Sequence, residues 1–327
     1  IRLSLVGSEM CIRDRFKDVS KEFEGNVVLK DLNFQVKKGE IFVLVGPSGS
    51  GKTTSLKMIN GLIEPTDGNL YFKEKRIKDY NIQKLRWQIG YVLQQIALFP
   101  TMSVKENIEV IPDMLGWDKE RRNKRVDQLL REVDMDPDQF RDRMPSELSG
   151  GQQQRIGIIR ALASEPDIVL MDEPFSALDP ISRASLQDLV LELHQKLGNT
   201  VIFVTHNMKE AMKIGSRIAV MHEGKLIQCD TPEEIQKHPA NQFVEEFFDE
   251  TTDEVYTHTL EVLYNGGFYQ KSETAASELL ALSINTSLSE VFDLLAEHDA
   301  FAMKQNGKII GIINRSDVFR YLSQEAG

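Results

Sequence analysis

Gly46 to Thr54 (GPSGSGKTT) directly follows the apolar run Ile41 to Val45 and opens a helical segment ending near Gly61. A buried strand, a glycine-rich turn and then a helix is the setting a phosphate-binding loop requires. Gly46, Gly49 and Gly51 let backbone N–H groups face phosphate oxygens with no side chain between, and the helix N-terminus adds a favourable dipole. Pro47, Ser48, Ser50 and Thr54 complete the loop. Lys52 is placed to reach the β and γ phosphates of a nucleotide, and the Thr53 hydroxyl to bind Mg²⁺. A structural glycine turn could imitate part of this pattern, but hardly the Gly-Lys-Thr ending after a strand.

The rest of the first 249 residues fits that setting. Ile168 to Met171, Val201 to Thr205 and Ile218 to His222 read as further strands, and their alternation with helical stretches gives an α/β domain with a largely parallel sheet. Charged helical periodicity over about residues 95–163 marks a helical subdomain inserted into it. Two strand ends carry polar groups. Asp172 and Glu173 close IVLMDEP, and a bare acidic pair there is costly without a cation or a reaction to justify it. Asp172 is the candidate Mg²⁺ holder, and Glu173 the residue that polarises the attacking water. His206, in FVTHN, ends another strand and is placed to sense the γ-phosphate, because ligands of parallel sheets gather at the strands' carboxyl ends. Together these residues describe a P-loop NTPase.

Composition removes other classes. The net charge of −11 argues against a protein that coats nucleic acid, whose affinity comes from Lys and Arg neutralising phosphates. The longest apolar runs fall far short of the roughly 20 residues that cross a bilayer. The 2 cysteines, Cys11 and Cys229, are too few for a disulfide framework. Residues 1–15 mix charges with too short an apolar core for a signal peptide and are expected to be a non-native or disordered leader, the fold starting at Phe16.

Leu148 to Gln152, LSGGQ, stands at the start of a helix running to about Ala163. Ser149 and the amides of Gly150 and Gly151 there make a second phosphate cradle. With the P-loop, the acidic pair and the histidine, this motif resembles the signature of ABC ATPases, and the resemblance covers about residues 16–249. It implies a RecA-like core with an inserted helical subdomain, hydrolysis of ATP with Mg²⁺, and a head-to-tail homodimer in which each nucleotide lies between the lysine loop of one copy and the Ser149–Gln152 turn of the other. It also implies that Gln94 is the glutamine that contacts Mg²⁺ and reports to a membrane partner, that Ser176 to Asp179 (SALD) forms the loop lying across the dimer interface, with Asp179 near nucleotide, and that Phe23 stacks on adenine.

The wording FPTMSVKENI and THNMKEAMKIGSRIAVMHEGKLIQCDTPEEI is similar to importer ATPases, particularly those for glycine betaine, carnitine and choline. The partners this implies are transmembrane permease subunits and, through them, an extracytoplasmic substrate-binding protein, at the cytoplasmic face of the plasma membrane. An importer ATPase for another small solute such as an amino acid is the second reading, and a soluble non-transport ABC ATPase a remote third.

An acidic, Thr-rich stretch opens a linker over residues 250–270, and residues 271–327 form a small α+β unit resembling one CBS motif, single-copy or incomplete. Its expected elements are a helix over Ser287 to Glu297, a hairpin turning at Asn306-Gly307 and a helix over Ser316 to Leu322. Asp317 stands where some CBS motifs carry the acidic residue that holds an adenosine ribose, while Asn314 stands where Ser or Thr is usual. Nucleotide binding and a docking or dimerisation role without ligand both remain open for this unit.

Overall fold

The computed structural model describes residues 12–176, 178–250, 258–271, 279–295, 298–305 and 307–325. The chain divides into two compact units, Ile1–Phe248 and Asp249–Gly327.

In the first unit, β3 (Ile41–Val45), β7 (Ile168–Asp172) and β8 (Thr200–Thr205) are buried along their whole length. Continuous apolar runs of this kind belong to central parallel strands covered on both faces. They lie in a six-stranded sheet of order β10-β9-β3-β8-β7-β6, with β6 (Ile89–Val92) at one edge and β9 (Arg217–His222) and β10 (Lys225–Asp230) at the other. All neighbours run parallel except β10, which pairs antiparallel with β9. The two-residue period of a strand divides its side chains between two cores. Ile41, Val43, Val45, Val169, Met171, Val201 and Phe203 enter one, with α6 (Gly150–Leu162) and α7 (Pro180–Leu197). Phe42, Leu44, Ile168, Leu170, Ile202 and Val204 enter the other.

That second core is roofed by a four-stranded antiparallel sheet of order β2-β1-β4-β5 that the strand pattern had not suggested. It contains β1 (Ile12–Phe23), β2 (Asn26–Lys37), β4 (Asp67–Phe72) and β5 (Lys75–Arg76). Here the expected start of the fold at Phe16 is corrected. Strand pairing reaches back to Ile12, with Ile12 opposite Lys37, Asp14 opposite Phe72 and Arg15 opposite Tyr71. Backbone pairing on both sides of β1 satisfies N–H and C=O groups whatever the side chains, and the Arg15 guanidinium also lies 4.5 Å over the Tyr71 ring. The rest of the expected leader, residues 1–11, lies outside the described residues.

Helices of the expected inserted subdomain run from α3 (Val104–Met114) through α4 (Lys119–Glu132) and α5 (Pro137–Phe140) to α6. Ser103 and Glu106 close a capping box on α3. The subdomain is held to the sheet at Gly90 of β6, where a Cβ would stand 2.3 Å from the Ala161 carbonyl of α6.

In the second unit, β11 (Ala281–Ser283) pairs parallel with β12 (Ala300–Gln305), which pairs antiparallel with β13 (Lys308–Asn314). The expected linker over 250–270 is partly corrected. Thr259 bridges to Ser287, Gln270 to Ile312, and Leu260–Asn265 is helical, because the buried Leu260 and Leu263 find apolar cover there. Residues 251–257 and 272–278 and the turn residue Asn306 lie outside the described residues, although Gln305 and Lys308 pair on either side of that turn. The helices Leu288–Leu295 and Arg315–Glu325 occupy the expected stretches.

Candidate functional site

The carboxyl ends of β3, β7 and β8 place the loop before α1 (Lys52–Ile59), the acidic pair and His206 side by side on neighbouring strands. Lys52 is only 4% exposed. Its ammonium donates to the carbonyls of Gly46 at 2.7 Å and Pro47 at 2.8 Å and contacts Ser50 Oγ at 3.4 Å. Burial pushes its pKa below the ordinary lysine value, against the pull of Glu173 and Asp172. The loop's glycines are there for two reasons. A Cβ on Gly46 would stand 2.1 Å from the Met221 carbonyl of β9, whereas at Gly49 space is open and it is the φ of +79° that favours glycine.

Thr53 Oγ1 donates to Asp172 Oδ1 at 2.8 Å, and the Tyr91 hydroxyl of β6 reaches Asp172 Oδ2 at 3.4 Å. Burial raises the Asp172 pKa despite the Thr53 hydrogen bond, and burial likewise raises the Tyr91 phenol. Hydroxyl and carboxylate oxygens are the hard donors Mg²⁺ takes, and a cation would relieve the penalty on this buried carboxylate, so the residues fit the metal.

Glu173 adopts φ +44°, an uncommon conformation for a residue with a side chain, pinned by a hydrogen bond from its N–H to the Val204 carbonyl at 3.0 Å. Its Oε2 lies 3.0 Å from His206 Nδ1. That hydrogen bond, ahead of their Coulomb attraction, lowers the Glu173 pKa and raises that of His206. A carboxylate so held is a weak proton acceptor and a good anchor for a water molecule.

Of the other expected residues, Ser149 to Gln152, Asp179, Gln94 and Phe23 stand at the surface and, among the described residues, make no hydrogen bond to this cluster, whereas Ser176 Oγ donates to the Glu173 carbonyl at 3.1 Å. Ser149 caps α6, accepting from Gln152 N–H at 3.3 Å while Gln152 Oε1 accepts from Ser149 N–H at 3.0 Å, and apart from their chain neighbours and the helix's own backbone no atom stands within 4 Å of where a Cβ on Gly150 or Gly151 would be. Asp179 caps α7 through Ser182 N–H at 3.0 Å. Gln94 is exposed just beyond β6. Phe23, 41% exposed, lies under the Lys21 ammonium at 4.6 Å.

Sequence reasoning missed Tyr91 and the charged pair Arg183–Glu210 behind His206. Tyr91 sits three residues before Gln94 and could have been found from its place at a strand end. In the second unit both Asp317 oxygens are engaged, Oδ2 by Asn314 N–H at 3.2 Å and Oδ1 by Arg320 at 3.1 Å.

The ABC transporter family model matches residues 29–176 and the CBS domain model residues 274–324. A carnitine transport ATP-binding protein of Listeria monocytogenes is 51% identical over 234 residues, 71% of this chain and 59% of that protein. The chain thus spans about three fifths of that relative's length. An osmoprotectant import ATP-binding protein of Salmonella typhimurium is 43% identical over 302 residues, 91% of this chain and 77% of that protein. Among solved structures, a dimeric ATP-binding cassette in a post-hydrolysis state with ADP and Pi matches with TM-score 0.60 and 33% identity, covering 67% of this chain and 98% of that one. Among the described residues, no helix is long and apolar enough to cross a membrane.

Proposed function

Because the chain belongs to the family of ABC transporter ATP-binding proteins, we propose that it is the ATP-hydrolysing subunit of an importer for quaternary-amine osmoprotectants such as glycine betaine, carnitine or choline. The observation that carries this reading is the cluster in which Lys52, Thr53, Asp172, Glu173 and His206 converge at neighbouring strand ends. The names of the relatives supply the solute class.

In this reading Lys52 exchanges its loop carbonyls for the β and γ phosphates of ATP, and the backbone N–H groups of the loop, which Pro47 lacks, cradle them. Thr53, Asp172 and Gln94 would hold Mg²⁺, which supplies charge neutralisation at the phosphates. Glu173 orients a water in line with the γ-phosphate, and His206, bonded to Glu173, reports whether that phosphate is present. The exposed Ser149–Gln152 turn and Asp179 face a second copy, so two chains complete two sites, with Phe23 against adenine. Transmembrane permease subunits, fed by an extracytoplasmic binding protein, take up the motion on the cytoplasmic side of the membrane. The engaged carboxylate of Asp317 favours a docking role, rather than ribose binding, for the second unit.

The test is reconstitution in liposomes with co-purifying permease subunits and a binding protein. Labelled glycine betaine, carnitine or choline should enter in an ATP-dependent manner. Glu173→Gln should abolish uptake while still binding ATP. Uptake of amino acids alone would refute the solute class, and normal turnover by Glu173→Gln would refute the assigned chemistry.

A further inference from the structure

Behind His206 lies a buried acid that the hydrolytic cluster does not use. Glu210, on α8 (Met208–Ile214), is 7% exposed. Its Oε2 accepts from Thr205 Oγ1 at 2.7 Å, and its Oε1 lies 3.7 Å from Arg183 Nε. Burying a carboxylate is unfavourable unless its partners compensate, and burial does push the Glu210 pKa up while Thr205 and Arg183 hold it down. Those partners belong to two different parts of the site.

On one side, Thr205 Oγ1 also accepts from Asn207 N–H at 3.0 Å, and Asn207 Oδ1 accepts from Glu210 N–H at 3.1 Å. This closed ring fixes residues 205–207, the turn from which the His206 side chain reaches Glu173. On the other side, Arg183 of α7 donates through Nη2 to the Leu178 carbonyl at 3.1 Å, and its own N–H donates to the Asp179 carbonyl at 2.8 Å. Arg183 therefore holds the loop that follows Glu173. Four residues before α7 begins, that loop is tied to the backbone of Glu173, since Ser176 Oγ donates to the Glu173 carbonyl at 3.1 Å.

We propose that Arg183 and Glu210 form a positioning relay that ties the 178–179 loop to the turn carrying His206, so that the loop's placement sets how His206 meets Glu173. Neither residue touches the reacting atoms. Both act through the aim of His206, which makes the relay a determinant of turnover and not of nucleotide affinity. It rests on the proposed ATP hydrolysis, and the experiment separates the two.

The full-length chain and its Glu210→Gln, Arg183→Gln and doubly substituted forms are compared for ATP turnover across ATP concentration, with thermal melting as the control for folding. Glu210→Gln keeps an acceptor for Thr205 and removes the charge that Arg183 faces. Each single change should lower kcat about tenfold with KM for ATP within about twofold of the parent, because the lysine loop is untouched. The double form should lose about tenfold, not about a hundredfold, since either change alone already opens the relay. A purely structural role would lower the melting temperature and leave turnover per folded molecule unchanged, which overturns the proposal. So would losses that multiply in the double form, or a parental kcat in both single forms. Arg183→Gln, on a side chain that is 26% exposed, carries the test should Glu210→Gln lose its fold. Absence of turnover in the parent chain overturns the functional reading together with the relay; parental turnover in the variants overturns the relay alone.

Discussion

Replacing Lys52 with methionine should leave the nucleotide-free protein nearly as stable as before while removing its stabilisation by ATP. The methionine keeps most of the volume and discards the charge. Two carbonyls, Gly46 O and Pro47 O, lose their donor, at about 1–3 kcal/mol each. The several kcal/mol spent desolvating the ammonium are recovered, so the two effects nearly cancel. The sign follows from the lowered Lys52 pKa. A base whose pKa falls on folding binds its proton more tightly in the unfolded chain, so stability rises with pH between the folded value and the ordinary one, and at neutral pH the charge opposes folding.

With ATP at about a hundred times its dissociation constant, binding should contribute about 2.7 kcal/mol to the parent. For the 248 residues of the first unit, at about 2.1 cal/mol/K each, the unfolding entropy is about 0.5 kcal/mol/K, so ATP should raise the melting temperature by about 5 °C. Losing the charge-assisted bonds to phosphate should weaken binding about a hundredfold, leaving a shift of about 1 °C. Differential scanning fluorimetry with and without ATP measures both quantities. An ATP shift equal to that of the parent, or a nucleotide-free melting point lowered by more than about 6 °C, would refute the reasoning.

Two further outcomes follow from the same geometry. Gly46→Ala drives a Cβ to 2.1 Å from the Met221 carbonyl, so the urea midpoint should correspond to at least about 2 kcal/mol of lost stability; an unchanged midpoint would show that the loop and β9 can separate freely. The His206 imidazole should titrate above its ordinary value by NMR and fall toward it in Glu173→Gln. The stability from this pair is present while His206 is protonated and Glu173 ionised. It is lost as pH rises through the raised His206 value and again as pH falls through the depressed Glu173 value. An imidazole indifferent to Glu173→Gln would contradict the 3.0 Å contact.

What the sequence by itself determined is whatever depends on local order. Gly46 to Thr54 between a strand and a helix, the acidic pair after IVLM and the histidine after FVT each need only a strand end and a turn. The loop conformation and the strand-end exposure follow from residues within a few positions. The capping boxes at Ser103 and Ser149 are local in the same way. The tertiary structure decided what depends on distant partners. β1 runs back to Ile12 because β2 and β4 flank it, a pairing invisible in a stretch rich in charge. Residues 259–270 pack as part of the second unit because Leu260 and Leu263 find cover that a Thr-rich approach does not announce. Arg183, Thr205 and Glu210 read singly as ordinary surface charges and a strand hydroxyl. Only the packing of α7 and α8 against the end of β8 brings them within reach of one another, because a buried charge acquires its partners from the fold and not from its neighbours along the chain.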